Sequence, residues 1–449
     1  MPTAPINLVS GTSLNRYSTS FESDLLVNAI IVPAQSPSAR SQAIMTPRLG
    51  KEALLDISNI KGVWFSNSIQ KLIVVTSTQI IAVSDLAEQF ILVDNLNIVQ
   101  MPLFEDTWNE CVVYIGINQF YSIDNELNAS LIQTNNLQGG NISALTFIDG
   151  YIIASLKNSR SFIRSELNGT SFSDALNLTS LQSNDNIVNI SQLNRELYLF
   201  CERHTEVWWN TGASADSPFA RQDGRIYPLG IQSRNSFHLN GAIYNCCSSD
   251  DNTCGFYQWT AGQYKKLSFD LLDKKITEAN DIYVMGSIEN NKTMLTVVLN
   301  GNEYWTYCLD SNMWFKRDNW NAIDTFSIGG VYYGADSTGL FLIAGTTDRG
   351  EVITCTKTSQ VFHAGEKRLF FKLLELDIGG ELHGTVRISI SDDSGKTWRN
   401  NGFVMPSVIG EYNRVRFLRL GSSRSRIFKI TWSDTNIYNA FLTLEEGSK

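Results

Sequence analysis

A short motif returns along this chain about every 45 residues, which is the length of one four-stranded β-propeller blade. In each copy an apolar run leads into a turn of Asn, Asp or Gly, and an apolar or aromatic run follows. Copies lie at Thr146–Ile153, Ile190–Leu199 and Phe237–Tyr244, and around Ser68-Ile69, Ile117-Asn118, Asn290-Asn291 and Gly329-Gly330. The repeat predicts an all-β fold containing a propeller of six or seven blades. It says little about chemistry, because one fold can carry many unrelated functions.

Proline content and the length of the apolar runs divide the chain into three predicted parts. Residues 1–60 hold five of the nine prolines and few periodic runs, so we predict an irregular N-terminal arm that lies across a neighbouring surface. Residues 61–358 carry the short strands of the propeller. Residues 359–449 carry longer strands, and in the last two Arg and Lys alternate with apolar residues. This alternation predicts a C-terminal antiparallel β-sandwich whose strands have one buried and one basic face.

The bulk composition excludes several classes of protein. The net charge of −9 argues against a nucleic-acid binder held by overall charge. No apolar run approaches the ~18 residues of a membrane helix, and Met1–Leu14 lacks the basic start and apolar core of a secretion signal. The seven cysteines are irregularly spaced. We predict buried thiols, with a disulfide inside the 246–254 loop as the alternative.

One turn fits the Asp-box pattern S-x-D-x-G-x-T-W. Its defining residues are Ser391, Asp393, Gly395 and Trp398. The Asp side chain is expected to accept backbone N–H groups, Gly to adopt a positive φ, and Trp to cover the apolar side of the hairpin. Asp-boxes are familiar from sialidases, where they recur in several blades without being catalytic. This chain has one, outside the repeat, so we predict a structural turn.

Residue patterns for catalysis and for cofactor binding are missing from the sequence. A glycosidase needs two carboxylates at a working distance, and none stands in a recognisable motif. The four histidines, at 204, 238, 363 and 383, are isolated, and no phosphate loop or nucleophile elbow is present. We therefore expect no enzyme, no metal and no cofactor.

A basic stretch near the C-terminus is the one conspicuous charge feature of this acidic chain. Its members are Arg414, Arg416, Arg419, Arg424, Arg426 and Lys429. Three interpretations remain open: a solvated strand face, a contact with an acidic neighbouring subunit, or a contact with DNA phosphates. We take these six residues as a candidate subunit interface, because Arg pairs well with carboxylates on a neighbour.

Motifs spread along the chain carry a resemblance to a known family. The opening is Asp24–Asn28 with Thr46–Gly50, where Arg48 stands at a position that is often Gly in the family. The middle and closing motifs are Asn186–Ile190, Thr205–Gly212, Ala220-Arg221, Gly230–Ser233, Arg419–Phe428 and Ser433-Asp434. Together they are similar to the tail hub proteins of short-tailed bacteriophages, also called packaged-DNA stabilisation proteins.

The resemblance implies a structural protein of the virion tail, made in the host bacterial cytoplasm. In the family, six copies form a ring that extends the portal and adaptor channel and receives a needle or plug. The outside of the ring is offered to tail fibres or spikes, and packaged DNA passes through without tight binding. The alternative from another class is a glycan-binding or glycan-degrading propeller. An extracellular host adhesin is disfavoured, because no secretion signal is seen.

Overall fold

The computed structural model describes residues 6–9, 24–34, 43–133, 141–179, 185–213, 218–249, 251, 253–379, 385–404 and 412–446. Five short strands lie in the N-terminal part: β1 (Ile6–Asn7), β2 (Leu25–Val27), β3 (Ala29–Pro33), β4 (Ala43–Pro47) and β5 (Lys51–Asp56). The sequence predicts an irregular arm in this part of the chain, whereas the structure contains these five strands. Apart from the β3–β4 pair, these strands pair with strands far along the chain, so no local periodicity announces them.

Seven sheets follow one another between residues 60 and 343. Their strands are β6 (Ile60–Ser66), β7 (Lys71–Thr76), β8 (Ile80–Ser84), β9 (Glu88–Val93); β10 (Leu103–Asp106), β11 (Cys111–Gly116), β12 (Gln119–Ile123), β13 (Ala129–Leu131); β14 (Ile142–Ile148), β15 (Tyr151–Leu156), β16 (Ser161–Ser165), β17 (Phe172–Thr179); β18 (Ile187–Leu193), β19 (Glu196–Cys201), β20 (Thr205–Asn210), β21 (Phe219–Tyr227); β22 (Gly230–Ile231), β23 (Phe237–Leu239), β24 (Ala242–Ser248), β25 (Cys254–Thr260), β26 (Gln263–Lys266); β27 (Ile282–Glu289), β28 (Lys292–Leu299), β29 (Glu303–Cys308), β30 (Met313–Arg317); β31 (Asp324–Ile328), β32 (Val331–Asp336) and β33 (Gly339–Ile343). A nine-residue helix, α1 (Asp270–Glu278), connects the fifth and sixth sheets.

The repeated motif marks a fixed place in these sheets. Six of its seven copies form a turn between two successive strands near the start of a sheet. Asn240-Gly241, for example, joins β23 to β24, and both residues have positive φ, as tight hairpin turns require. The copy at Ile117-Asn118 instead joins β11 to β12, so the second sheet is out of phase with the others.

The seven sheets close into a propeller through the N-terminal strand β5. This strand pairs antiparallel with β33 and completes the seventh sheet. Apolar side chains of that sheet, such as Phe326 and Leu340, share one buried cluster with Val63 and Leu72 of the first sheet. The β-propeller prediction is confirmed, and the ring has seven blades.

The remaining strands lie in the C-terminal part of the chain. They are β34 (Thr347–Asp348), β35 (Glu351–Val352), β36 (Thr354–Thr358), β37 (Phe362–His363), β38 (Leu369–Gly379), β39 (Val386–Ser391), β40 (Arg399–Val404), β41 (Tyr412–Ser423), β42 (Ser425–Ser433) and β43 (Asn436–Glu446). One sheet has the order β3-β4-β43-β38-β41, with β1 on β43. Strands β2, β36, β42, β39 and β40 follow one another in a second sheet.

These two C-terminal sheets contribute side chains to one apolar cluster. Leu374 and Leu442 come from the first sheet, and Ile388, Phe428 and Ile430 from the second. Both sheets also contain strands from before residue 48, and β36 lies inside the range predicted for the propeller. The domain boundaries predicted at residues 60 and 358 stay predictions, and so does a β-sandwich formed by residues 359–449 alone.

Strand β2 joins the propeller to the C-terminal sheets. It pairs parallel with β30 of the sixth blade and antiparallel with β36. The sixth blade thereby becomes part of a ten-stranded sheet that runs on to β40. A continuous ladder of backbone hydrogen bonds thus connects the two regions.

A buried arginine reinforces this junction. Arg48 is 1% exposed and donates two hydrogen bonds to Asp348, at 3.0 and 2.6 Å. Its Nε donates to Asn28 Oδ1 at 3.0 Å, and its guanidinium lies 4.9 Å from the ring centroid of Trp320. Beside it, a Cβ on Gly50 would lie 2.1 Å from the Thr347 carbonyl oxygen. The two halves of the opening motif therefore meet in one packed contact.

Candidate functional site

The Asp-box turn lies between β39 and β40 and is held by side-chain hydrogen bonds. Asp393 accepts from the Thr397 amide at 2.9 Å, the Thr397 hydroxyl at 2.5 Å and the Ser391 hydroxyl at 2.7 Å. Ser391 Oγ in turn accepts from the Gly395 amide at 2.8 Å, and Gly395 has a φ of +86°. The hydrogen bonds from Thr397, and then that from Ser391, lower the pKa of Asp393 to about 2. The carboxylate is engaged in local contacts that fix the turn.

The neighbouring Asp392 links this turn to the closing motif. Arg426 donates from Nε at 2.6 Å and from Nη2 at 2.9 Å to the two oxygens of Asp392. The guanidinium also donates to the Leu420 carbonyl and lies 4.7 Å from the ring centroid of Phe371. Burial opposes ionisation of Asp392, but the hydrogen bond and charge of Arg426 prevail and lower its pKa. At 2% exposure, Arg426 faces the interior and not a neighbouring subunit.

Lys429 also contacts the Asp-box. Its Nζ lies 4.0 Å from the ring centroid of Trp398, which is a cation–π distance. Partial burial lowers the pKa of Lys429. Two of the six candidate interface residues therefore hold the Asp-box hairpin against β42.

Two other candidate residues face acidic partners on the adjacent strand β38. Arg414 lies opposite Asp377 and Arg416 opposite Glu375 in the strand register. Arg414 Nε lies 3.2 Å from Asp377 Oδ1, and Arg416 Nε lies 2.5 Å from Glu375 Oε2. Both arginine side chains are about half exposed, so each pair is worth little in water. This neutralisation has no local signal in the sequence, because the acids lie some forty positions earlier in the chain.

Of the six candidate interface residues, Arg419 and Arg424 are the best placed to contact a neighbouring subunit. Both are exposed: Arg419 lies within β41, and Arg424 is the residue between β41 and β42. Arg419 has a φ of +56°, in the left-handed region. The basic face predicted from six residues is therefore narrower, and its role as a subunit interface stays a prediction.

Because Asp393 is held in its charged form, we expect the stability of the Asp-box turn to depend on pH. Because its pKa of about 2 lies below the unfolded value of ~3.9, its contribution is complete above about pH 5 and disappears as pH falls toward 2. We expect Asp393→Asn to lower the melting temperature at pH 7 and to match the parent near pH 2. Asp223→Asn, at a fully exposed aspartate on β21, is the control and should change neither value. An equal loss at both pH values would contradict this role.

A cavity of about 930 Å³ lies at the centre of the propeller. One strand from each of the seven blades lines it: β6, β10, β14, β18, β23, β27 and β31. Side-chain amides bridge these strands: Asn189 donates to the Arg234 carbonyl at 3.1 Å, and Asn235 exchanges two hydrogen bonds with Val284, at 2.7 and 2.8 Å. The cavity wall is thus cross-linked between blades four, five and six.

Two carboxyl groups in the cavity wall have raised pKa values. Burial raises the pKa of Glu105 to about 8 and that of Asp324 to about 7. They lie on β10 and β31, in the second and seventh blades, with the first blade between them. These two carboxyl groups supply protonatable groups to the cavity wall.

The cysteines of the chain lie in its interior. All seven cysteines are buried free thiols, so the disulfide alternative is wrong.

The sequence predicts that all four histidines are isolated, and for His204 this is wrong. Its ring nitrogens lie 2.9 Å from Asp185 and 3.2 Å from Glu206. Burial opposes its charge, but hydrogen bonds to Cys201, Glu206 and Asp185 raise its pKa to about 10. His383 lies outside the described residues.

Across the described residues, no group of His, Cys, Asp or Glu is arranged to hold a metal ion. No described helix has the length and apolar character to cross a membrane.

Comparison with known proteins gives one family. The family model described as "Bacteriophage P22 Gp10, beta-propeller" matches residues 4–342, which is more than half of the chain. No curated protein matches the sequence. The closing motif lies beyond the matched range.

The chain is also similar, at low sequence identity, to several solved structures. Virginiamycin B lyase from Staphylococcus aureus has 10% identity and a TM-score of 0.44, covering 64% of this chain and 96% of its own. A streptogramin B lyase has 11% identity and a TM-score of 0.45, covering 65% and 96%. The extracellular domain of a hybrid two-component system from B. thetaiotaomicron has 10% identity and a TM-score of 0.44, and the match covers 81% of this chain and 47% of that one.

Proposed function

Because the chain belongs to the bacteriophage P22 Gp10 β-propeller family, we propose that it is a tail hub subunit of a short-tailed bacteriophage. Six copies would form a ring that extends the DNA channel and helps retain packaged DNA in the virion. The match over residues 4–342 carries this proposal. Portal or adaptor proteins, a needle or plug, and fibres or spikes are the partners that the family resemblance implies.

The architecture supports a mechanical role. A component that retains DNA must transmit force without separating its parts. The ten-stranded sheet and the buried Arg48–Asp348 pair connect the propeller to the C-terminal sheets at two places. Membership in a phage structural family also favours a non-enzymatic role over a glycan-degrading one. The carboxylates of Asp392 and Asp393 are engaged in internal contacts, which agrees with that preference.

The ring is tested by native mass spectrometry of the full chain, alone and with its adaptor. Identical subunits joined by heterologous contacts close into a ring when the rotation allows. We expect a closed hexamer, and we expect Arg419→Glu/Arg424→Glu to weaken it by repelling an acidic neighbour. Arg195→Glu, at an 80% exposed propeller arginine, is the matched control and should assemble normally. A chain that stays monomeric with its adaptor present would contradict the ring.

The isolated protein is expected to bind duplex DNA weakly. Each copy carries a net charge of −9, and the basic residues near the C-terminus are largely paired or buried. Strong binding needs several free Lys or Arg contacts and weakens steeply with salt. We predict a Kd weaker than ~10⁻⁶ M at physiological salt, measured by fluorescence anisotropy across a salt series. Sub-micromolar binding with a steep salt slope would contradict passage of DNA without tight binding.

A further inference from the structure

A second concavity, of about 550 Å³, lies between the second and third blades. The turn from β10 to β11 forms one side of it, with Trp108, Asn109 and Glu110. The turn from β16 to β17 forms the other, with Asn168 and Thr170. We call this concavity the Trp108 pocket. It is separate from the central cavity and from the Asp-box.

Trp108 presents a large apolar ring to solvent in a fixed position. Its side chain is 67% exposed, and its ring meets Phe147 edge-on, with centroids 5.4 Å apart and planes at 85°. The turn beneath it is closed by Thr107, whose amide donates to the Glu110 carbonyl at 2.8 Å and whose hydroxyl accepts from the Glu110 amide at 3.1 Å. Because these hydrogen bonds and the Phe147 contact hold the turn and the indole in place, Trp108 offers a preformed binding surface, which we call the platform. A ligand that binds to it would pay little conformational entropy for ordering the side chain.

Glu110 gives the pocket an unsatisfied acceptor. The side chain lines the pocket, and its Oε2 atom is buried without a hydrogen bond from any described residue. A buried acceptor without a partner is unfavourable. A ligand hydroxyl would reach this oxygen only after the carboxylate turns toward the pocket, and donating to it would then remove the penalty.

The remaining wall adds neutral polar groups. The amides of Asn109 and Asn168 and the hydroxyl of Thr170 surround the platform, and each amide can donate and accept. Among the described residues, Glu110 is the only charged one that lines the pocket. An anionic ligand would therefore meet repulsion without a compensating cation, whereas a neutral one would not.

From this combination we propose that the Trp108 pocket binds a neutral pyranose of a polysaccharide. A sugar ring has an apolar C–H face that packs on an aromatic ring, whose face is electronegative. Its hydroxyls alternate as donors and acceptors around the edge, where the pocket has amides, a hydroxyl and a carboxylate. The pocket shares no lining residue with the central cavity.

The test is saturation-transfer NMR and calorimetry on the full chain, with maltohexaose, a β-1,4-galactan oligosaccharide and chitotetraose as neutral probes. Sialyllactose is the anionic comparison. We expect at least one neutral probe to bind in the millimolar range or tighter. Trp108→Ala should weaken that binding by about tenfold or more, Glu110→Gln should weaken it, and Trp108→Tyr should retain most of it.

Trp209→Ala provides the matched control, since this tryptophan is 45% exposed on β20 and lies outside the pocket. It should leave sugar binding unchanged. Failure of all three neutral probes to bind overturns the proposal, as does equal or stronger binding of sialyllactose. Binding that survives Trp108→Ala, in a variant with the parent melting temperature, overturns it too. A pocket that binds another tail protein and no sugar would assign the platform to a protein contact instead.

Discussion

Replacing Arg48 by methionine is expected to lower the free energy of unfolding by about 3–5 kcal/mol, because it breaks a buried ion pair and leaves one partner uncompensated. The guanidinium makes two hydrogen bonds to Asp348 and one to Asn28, and it lies over Trp320. Methionine fills much of the volume but supplies none of these donors. Denaturant unfolding of parent and variant at neutral pH measures the difference.

A double-mutant cycle separates this ion pair from packing. Asp348→Leu alone should also destabilise strongly, whereas Arg48→Met/Asp348→Leu should recover part of the loss, since apolar replacement of a buried pair is often nearly neutral. Arg195→Met is the surface control, because this arginine is 80% exposed beside Asp149, and such pairs are worth about 0–1 kcal/mol. If Arg48→Met and Arg195→Met cost the same, the pair does not hold the junction.

Deleting residues 1–45 is expected to unfold the C-terminal sheets. The deletion removes the buried side chains of Leu26, Ile30, Ile31 and Met45 from the shared apolar cluster. Each such side chain contributes about 1.5–3 kcal/mol when buried, and a domain has only about 5–15 kcal/mol in total. Strand β2, which links β30 to β36, is lost as well.

Limited proteolysis followed by mass spectrometry checks this prediction. New cleavage should concentrate in residues 353–446, while the blades from β6 to β29 stay resistant. Removing only residues 1–5, which lie outside the described residues, leaves every described strand in place and should give the parent pattern. Unchanged protection of the C-terminal strands in the longer deletion would show that the N-terminal strands are dispensable for the fold.

The propeller was predictable because its information is local. A tight hairpin needs particular residues at its turn, and the flanking strands need apolar runs, so both signals lie within some ten residues of each other. Copies such as Asp149-Gly150 and Asn240-Gly241 therefore mark the blades. The Asp-box was predictable for the same reason, since Asp393 and its three donors lie within seven positions.

The Trp108 pocket could not be predicted in the same way. Its two walls lie some sixty positions apart, on turns of different blades. The one local signal was Thr107-Trp108-Asn109-Glu110, an aromatic residue within a polar turn. Such a turn becomes a pocket only when the third blade places Phe147 and Asn168 beside it.

By itself, the sequence determined the all-β class, the blade repeat, the Asp-box turn and the resemblance to a phage tail family, because each is encoded in neighbouring residues. The tertiary structure alone decided which charges are available. Arg426 reads as one more basic residue on a strand, yet it is buried against Asp392, and Arg416 is paired with Glu375. It also decided that β5 closes the propeller and that β2 joins it to the C-terminal sheets. These contacts join residues dozens to hundreds of positions apart, and strand pairing over such distances leaves no periodic trace in the chain.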